Sequence, residues 1–252
     1  MRKEYLSNYH SHSLWCKHAS GSLEDYIIEA INQHLSDFAI CDHIADDENF
    51  GPRMSFKEFP SFINEVLRLK TKYKTYFNNL YSTLEVEYHS NQIALYNNLL
   101  KNDFDFLILG QHQSDDNQID YYNMNDITNN TIQYTNDILE ALDTKLFKIL
   151  AHPDLILVNY ASVNDLVLEC MDKIFKRCQE LGIYVEINAN GLRNNKLYPS
   201  KEVWSLALKY PDLKIIINSD AHSINALYDS YIDKAYAFAK ELGLKICTHI
   251  DI

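Results

Sequence analysis

Two kinds of hydrophobic pattern alternate along this chain. Short apolar runs, too brief for helices, occupy residues 37–41, 80–88, 104–109, 146–151, 183–188 and 213–218, with a shorter one at 7–12. Between them apolar residues recur every three or four positions, the spacing of a helix with one buried face. This predicts helices over residues 22–34, 55–74, 92–100, 132–142, 201–209 and 225–242, and a longer one from Ser162 or Asn164 to Leu181. Ser22 is placed to N-cap the first, whose stripe is Ile27, Ile28, Ala30 and Ile31. Ser55 and Glu58 have capping-box spacing, and Pro60 falls in a first turn, where proline does least harm. Gly182 is a C-terminal stop. A last short strand is expected at residues 245–248. Strand followed by helix, repeated, is the pattern of a βα architecture. Residues 46–52 form a charged loop, and residues 114–130, rich in Asp and Asn, a long one of the kind that often carries function. No repeat, linker or break in composition divides the chain, so residues 1–252 read as one domain.

The chemistry lies where the predicted strands end. His10 and His12 follow the first, on one side of an extended chain, with His18 a little beyond. Asp42-His43 ends the second strand and Glu85 lies in the third, with Glu87 two residues on. His112 closes the fourth, His152 the fifth, and Asp220 and His222 the seventh. In a parallel barrel all these positions share one face, the one on which such folds build their sites. A lone histidine is more often a surface or core residue than a ligand. Seven of ten on one face, with two carboxylates, point to a multinuclear metal centre. Glu85 is read as the bridging carboxylate and Glu87 as its neighbour, while Asp42 and Asp154 are placed to orient an imidazole. His89 reads as a surface residue. Ions that share a carboxylate acidify a bridging water and neutralise a phosphoryl group. An arginine beside them can take phosphate oxygens bidentately. Arg193, after the sixth strand, is the first candidate and Arg53 the second; Arg68 and Arg177 lie within helices.

Composition narrows the partners. The formal net charge is −12, which disfavours a broad nucleic-acid-binding surface. The five cysteines are widely spaced and odd in number, as expected of reduced thiols in a cytoplasmic protein; Cys16, among the histidines, reads as a thiol rather than a ligand. The first residues lead into no signal-peptide core, and no apolar run is long enough to span a membrane.

The ordered set of motifs resembles the polymerase and histidinol phosphatase (PHP) family. The residues are H-x-H-x5-H at His10, His12 and His18, D-H at His43, L-E-V-E-Y around Glu85, G-x-H at His112, H-P-D at His152, and S-D-A-H from Ser219 to His222. Arg53-Met54-Ser55-Phe56, Leu69-Lys70-Thr71-Lys72-Tyr73 and the segment from Glu186 to Arg193 resemble its histidinol-phosphatase branch. The resemblance implies a single-domain distorted (β/α)7 barrel holding up to three divalent ions (Zn, Mn or Fe). His10, His12, Glu85 and Asp220 would hold the first; Glu85, His112 and His152 the second; His18, His43 and His222 the third. Glu85, Asp220 and His222 would be catalytic, and Arg193 and Arg53 would bind substrate. The implied reaction is hydrolysis of L-histidinol phosphate, in histidine biosynthesis, by a metal-bridging hydroxide. A different small phosphate ester, phosphotyrosine or nucleic acid is the alternative substrate, and a metal- or partner-binding module without catalysis the non-enzymatic one. The chain departs from the branch in lacking a basic residue soon after His152, and in reading Gly110-Gln111-His112-Gln113 around His112.

Overall fold

The apolar runs become parallel strands that are buried along nearly their whole length, which is why they read as continuous rather than alternating. A computed structural model describes residues 7–46 and 52–252. The first six residues and most of the 46–52 loop lie outside the described residues. The strands are β1 (Ser7–Asn8), β2 (Asp37–Ile40), β3 (Asn79–Val86), β4 (Phe106–Leu109), β5 (Phe147–Leu150), β6 (Tyr184–Asn188) and β7 (Lys214–Asn218). They form one seven-stranded parallel sheet in chain order.

The sheet curls so that its two edges meet. β1 has only two ladder residues, because asparagine side chains replace backbone partners at the seam. Tyr9 donates its backbone N–H to the Asn218 side chain, and Ser219 to that of Asn8, both at 2.8 Å. Further along, the backbone N–H of Asp220 donates to the His10 carbonyl at 3.0 Å, and that of His12 to the Ala221 carbonyl at 2.8 Å. The barrel is thus nearly closed, as the (β/α)7 expectation requires. Tyr9, Ala39, Phe106, Ile108, Ile149, Tyr184 and Ile216 fill its interior.

Among the described residues there are eight α-helices: α1 (Leu23–Asn32), α2 (Phe59–Tyr73), α3 (Ile93–Asn102), α4 (Ile127–Asp143), α5 (Asp165–Leu181), α6 (Ala189–Arg193), α7 (Lys201–Ser205) and α8 (Ser230–Leu242). Ile27, Phe62, Ile138, Ile174 and Trp204 are among the side chains that seal them to the sheet. Ser22 and Asp25 form a reciprocal capping box on α1. Asn164, the second of the two predicted starts, caps α5, and Gly182 ends it at φ 68°.

Several segments differ from expectation, among them α8, which starts at Ser230 rather than near residue 225, and the 201–209 helix, which is α-helical only to Ser205. Ser55 and Glu58 do bond, but as a turn ahead of α2, which starts at Phe59. α4 begins at Ile127, capped by Asp126, and so absorbs the end of the expected loop. α6 occupies residues to which no element was assigned. The strand expected at 245–248 is a single bridge from Ile246 to Ile215.

Candidate metal centre

Glu85 is the hub. It points into the open end of the barrel and is 1 % exposed. Its Oε1 lies 2.9 Å from His152 Nε2 and 3.6 Å from His112 Nε2. Its Oε2 lies 3.3 Å from His10 Nε2, 3.4 Å from His12 Nε2 and 2.9 Å from His43 Nδ1. The two oxygens therefore face two different groups of imidazoles, the arrangement a bridging carboxylate needs. Asp220 closes the first group, with Oδ1 3.1 Å from His12 Nε2 and 3.7 Å from His10 Nε2. Donor atoms of His10, His12 and Glu85 all lie within 4.8 Å of one another, as do those of Glu85, His112 and His152, of His10, His152 and Asp220, and of His12, His43 and His222. His18 adjoins the last trio, its Nε2 3.1 Å from that of His222. His152 and Asp220 hold this geometry with left-handed backbones, at φ 27° and 44°, a strain that characteristically gathers at functional sites.

The donors fit cations. His18 Nδ1 faces the carbonyls of Cys16 and Pro52 at 2.8 and 3.0 Å, and His222 Nδ1 faces the Asp220 carbonyl at 3.1 Å. A carbonyl only accepts, so in each ring Nδ1 carries the proton. When both rings are neutral, their Nε2 lone pairs confront each other, and a shared cation is the natural resolution. Outer carboxylates set the same tautomer elsewhere: Glu186 takes His10 Nδ1 and Glu87 takes His112 Nδ1, both at 2.8 Å. His12, His43 and His152 each keep a buried Nδ1 without a hydrogen-bond partner. His43 Nδ1 is close to Glu85 but off the hydrogen-bond direction.

Electrostatics separate the two sides of the cluster. Burial pulls His10 and His12 down, but carboxylates outweigh it: Glu186, Glu85 and Asp220 raise His10, while Asp220 and Asp42 lead in lifting His12 to about 9. This is a place where positive charge is favoured. On the other side burial prevails. With added repulsion from Arg53 and His12, His43 falls well below the usual imidazole range; burial and His12 take His222 to about 4, and burial and Arg53 lower His18. These three rings are neutral at pH 7, with lone pairs available to a metal. Burial alone would raise Glu85 and Asp220, but the surrounding histidines hold both well below the carboxylate range.

The other named residues divide clearly. Arg193 and Arg53 both line the cavity above the cluster, a space of about 600 Å³. The Arg193 fork is fully committed: Nε and Nη2 reach Asp229 at 2.8 and 3.2 Å, Nη2 the Ala226 carbonyl, and Nη1 the Ser219 carbonyl and Asn190. Among the described residues Arg53 makes one hydrogen bond, to the Pro52 carbonyl, and stands 3.6 Å from Glu87. Every Arg193 nitrogen is thus engaged by Asp229, Asn190 or a backbone carbonyl. Asp154 does not orient a ring; it accepts from Ser200 N and Trp204 Nε1. Asp42 accepts from Ser13 and from the backbone of His43, and lies 3.8 Å from His12 Nδ1. Cys16 is a buried thiol pushed up to about 12 by burial, and all five cysteines are free. Arg68 and Arg177 pair with acidic side chains on the outside of the barrel.

Sequence reasoning missed the role of Glu186. It is wholly buried, holds His10, and is itself bound by Asn188 at 2.6 Å and Asn218 at 2.8 Å. A carboxylate in an apolar run, two residues from inward-facing Tyr184, was the available signal.

A (β/α)7 barrel with a pocket of histidines gathered around a buried carboxylate at the strand ends defines a class of metal-site barrels. The PHP domain matches residues 8–190, and the chain belongs to that family. A probable histidinol-phosphatase of Schizosaccharomyces pombe is 25 % identical over 264 residues, covering 89 % of this chain and 85 % of that protein. Among solved structures, the histidinol phosphate phosphatase of Lactococcus lactis, complexed with zinc, L-histidinol and phosphate, superposes with a TM-score of 0.77 at 20 % identity, covering 98 % and 99 % of the two chains. A chain of an archaeal ribonuclease P with mature tRNA has the same fold more distantly, at TM-score 0.51 and 14 % identity, over 94 % and 89 % of the two chains. No helix among the described residues is long and apolar enough to cross a membrane.

Proposed function

We propose that this chain is a single-domain, metal-dependent phosphomonoesterase that hydrolyses L-histidinol phosphate to L-histidinol and phosphate. The observation that carries this reading is Glu85, with imidazoles grouped on each of its two oxygens below an open cavity. In support, the S. pombe relative spans most of the chain and the L. lactis structure matches nearly all of it.

In this reading three ions are held: by His10, His12, Glu85 and Asp220; by Glu85, His112 and His152; and by His18, His43 and His222. When bound, they supply positive charge against phosphoryl oxygens and acidify a water so that it is a nucleophile near neutral pH. The chain's own residues do the rest. Glu186 and Glu87 fix the His10 and His112 rings so that their Nε2 atoms face inward. Arg53, which lines the cavity and has donors unspent among the described residues, binds non-bridging phosphate oxygens. Arg193 ties α6 to Asp229 at the start of α8 and so holds the wall in place. The partner is then a small phosphorylated molecule and the compartment the cytoplasm. The acidic balance disfavours nucleic acid.

Phosphate release tests this. Protein loaded with Zn²⁺ or Mn²⁺ is offered L-histidinol phosphate, other small phosphate esters, a phosphotyrosine peptide and a short single-stranded DNA. Preference for L-histidinol phosphate, abolished by a chelator, is expected. Cleavage of DNA, or metal-loaded protein inert toward every ester, contradicts the proposal.

A further inference from the structure

Asp220 gives its two oxygens to different neighbours. Oδ1 faces the imidazoles of His12 and His10, at 3.1 and 3.7 Å. Oδ2 accepts from two side-chain amides, Asn188 Nδ2 at 3.1 Å and Asn190 Nδ2 at 3.2 Å. A carboxylate oxygen has about two lone-pair sites, so Oδ2 is filled and Oδ1 keeps its own for a cation. The main chain beneath is fixed as well: Asp220 stands at φ 44° and donates its N–H to the His10 carbonyl. Neither amide can be reversed. Asn188 Oδ1 accepts from the backbone N–H of Asn190 at 2.8 Å and of Gly191 at 3.2 Å, where α6 begins. Asn190 Oδ1 accepts from Arg193 Nη1 at 3.3 Å and from Asn194 Nδ2 at 2.8 Å. Guanidinium and backbone N–H groups only donate, so each amide must turn its oxygen to them and its NH2 to the carboxylate.

Asn188 Nδ2 also donates to Glu186 Oε1 at 2.6 Å, and Glu186 in turn holds His10. One amide thus braces two carboxylates of the same group. We infer that Asn188 and Asn190 are positioning residues: by occupying Oδ2 they make Asp220 a one-oxygen ligand, aimed at the ion held with His10, His12 and Glu85. Arg193 acts on that ion through Asn190. Its guanidinium polarises the amide it donates to, and this strengthens the amide's own donation to Asp220. The inference rests on the metal-dependent reading of the site and names the groups that set how one of its ligands binds.

The test compares wild type with Asn190→Leu, which removes the donor at similar volume, and Asn190→Ala, which removes it without bulk. Asn188 is left in place because it also starts α6. Zinc affinity is measured by competition with a chelator, and the site affected is read from zinc-edge anomalous peaks in crystals grown at limiting zinc. In wild type, Asp220 should bind zinc through Oδ1 alone, with Oδ2 still on both amides. In either variant the ion beside His10, His12 and Asp220 should bind about tenfold more weakly, the lower end for a lost outer partner because Asn188 remains. Its peak should fade, while those beside His112 and His152 and beside His18, His43 and His222 keep most of their height. A merely structural role for Asn190 would weaken all of them alike. Two-oxygen binding by Asp220 in wild type, equal fading of every peak, or wild-type zinc affinity in both variants overturns the inference alone. Wild-type protein that takes up no zinc, manganese or iron overturns the metal-dependent reading and the inference with it.

Discussion

The inside of this barrel changes character within two residues of chain. On β6 the inward side chain is Tyr184, then Glu186; on β7 it is Ile216, then Asn218. On β4 it is Phe106 and Ile108, then Gly110. A step of two residues is about 6.6 Å. Across that step the interior passes from tightly packed hydrocarbon to a mesh of buried carboxylates and imidazoles. The floor is self-sufficient: its apolar groups lower the free energy of the fold and need no partner. The mouth is not. Its groups are buried as deeply, but several keep unmade hydrogen bonds or confronting lone pairs. Buried polar groups of this kind are costly unless something satisfies them. The floor thus stabilises a mouth that only metal completes, and the two regions should respond differently to mutation and to chelation.

The sharpest contrast is at Glu85. Glu85→Gln removes the charge that faces both imidazole groups, and phosphatase kcat/KM should fall on the order of a thousandfold or more. Metal analysis should show ions lost, and the rise in Tm on adding zinc, worth about 4 kcal/mol at a thousand times Kd, should largely vanish.

Gly110→Ala should come next. A Cβ there would stand 2.0 Å from Glu85 Oε1, with no flexible neighbour to yield except Glu85 itself. Displacing that carboxylate should cost about ten- to a hundredfold in metal affinity, measured by competition with a chromogenic chelator. Glu186→Gln leaves Glu85 alone but weakens the hold on His10. A loss at the lower end of that range is expected, about tenfold in metal affinity or activity.

The smallest effect on chemistry is expected from the floor. Ile216→Ala should destabilise by about 3 kcal/mol and lower Tm by several degrees, roughly 2–4 °C for each kcal/mol. Its kcat at a temperature well below Tm should stay within about twofold of wild type, and its gain in Tm from zinc should match the parent's. A floor variant that lost metal, or a Glu85 variant that kept it, would erase the distinction.

Much of this was legible because strand and helix periods differ and because chemistry-bearing residues stood at strand ends. His10, His12, His43, Glu85, His112, His152, Asp220 and His222 were all found by position along the chain, and the structure brings their donor atoms together. What stayed hidden depends on contacts remote in sequence. The spent fork of Arg193 rests on Asp229, 36 residues away. The role of Glu186 rests on His10, 176 residues away. Local structure was misread where polar residues do apolar work. The missed first turn of α4, residues 127–131, buries only Thr131, so no hydrophobic stripe announced it. α6 is too short for a stripe at all, and is started by the Asn188 side chain, which accepts from Asn190 N and Gly191 N. The 245–248 run was apolar enough for a strand, but the chain there meets β7 at one bridge only.

The central claim is that the mouth is a multinuclear metal site organised by Glu85. Anomalous diffraction from crystals grown with zinc tests it most directly, read at the zinc absorption edge. The account predicts separate peaks on the two sides of the Glu85 carboxylate, one beside His10, His12 and Asp220 and one beside His112 and His152, with a third near His18, His43 and His222. Fully loaded crystals with a single peak, or with zinc away from Glu85, would contradict it.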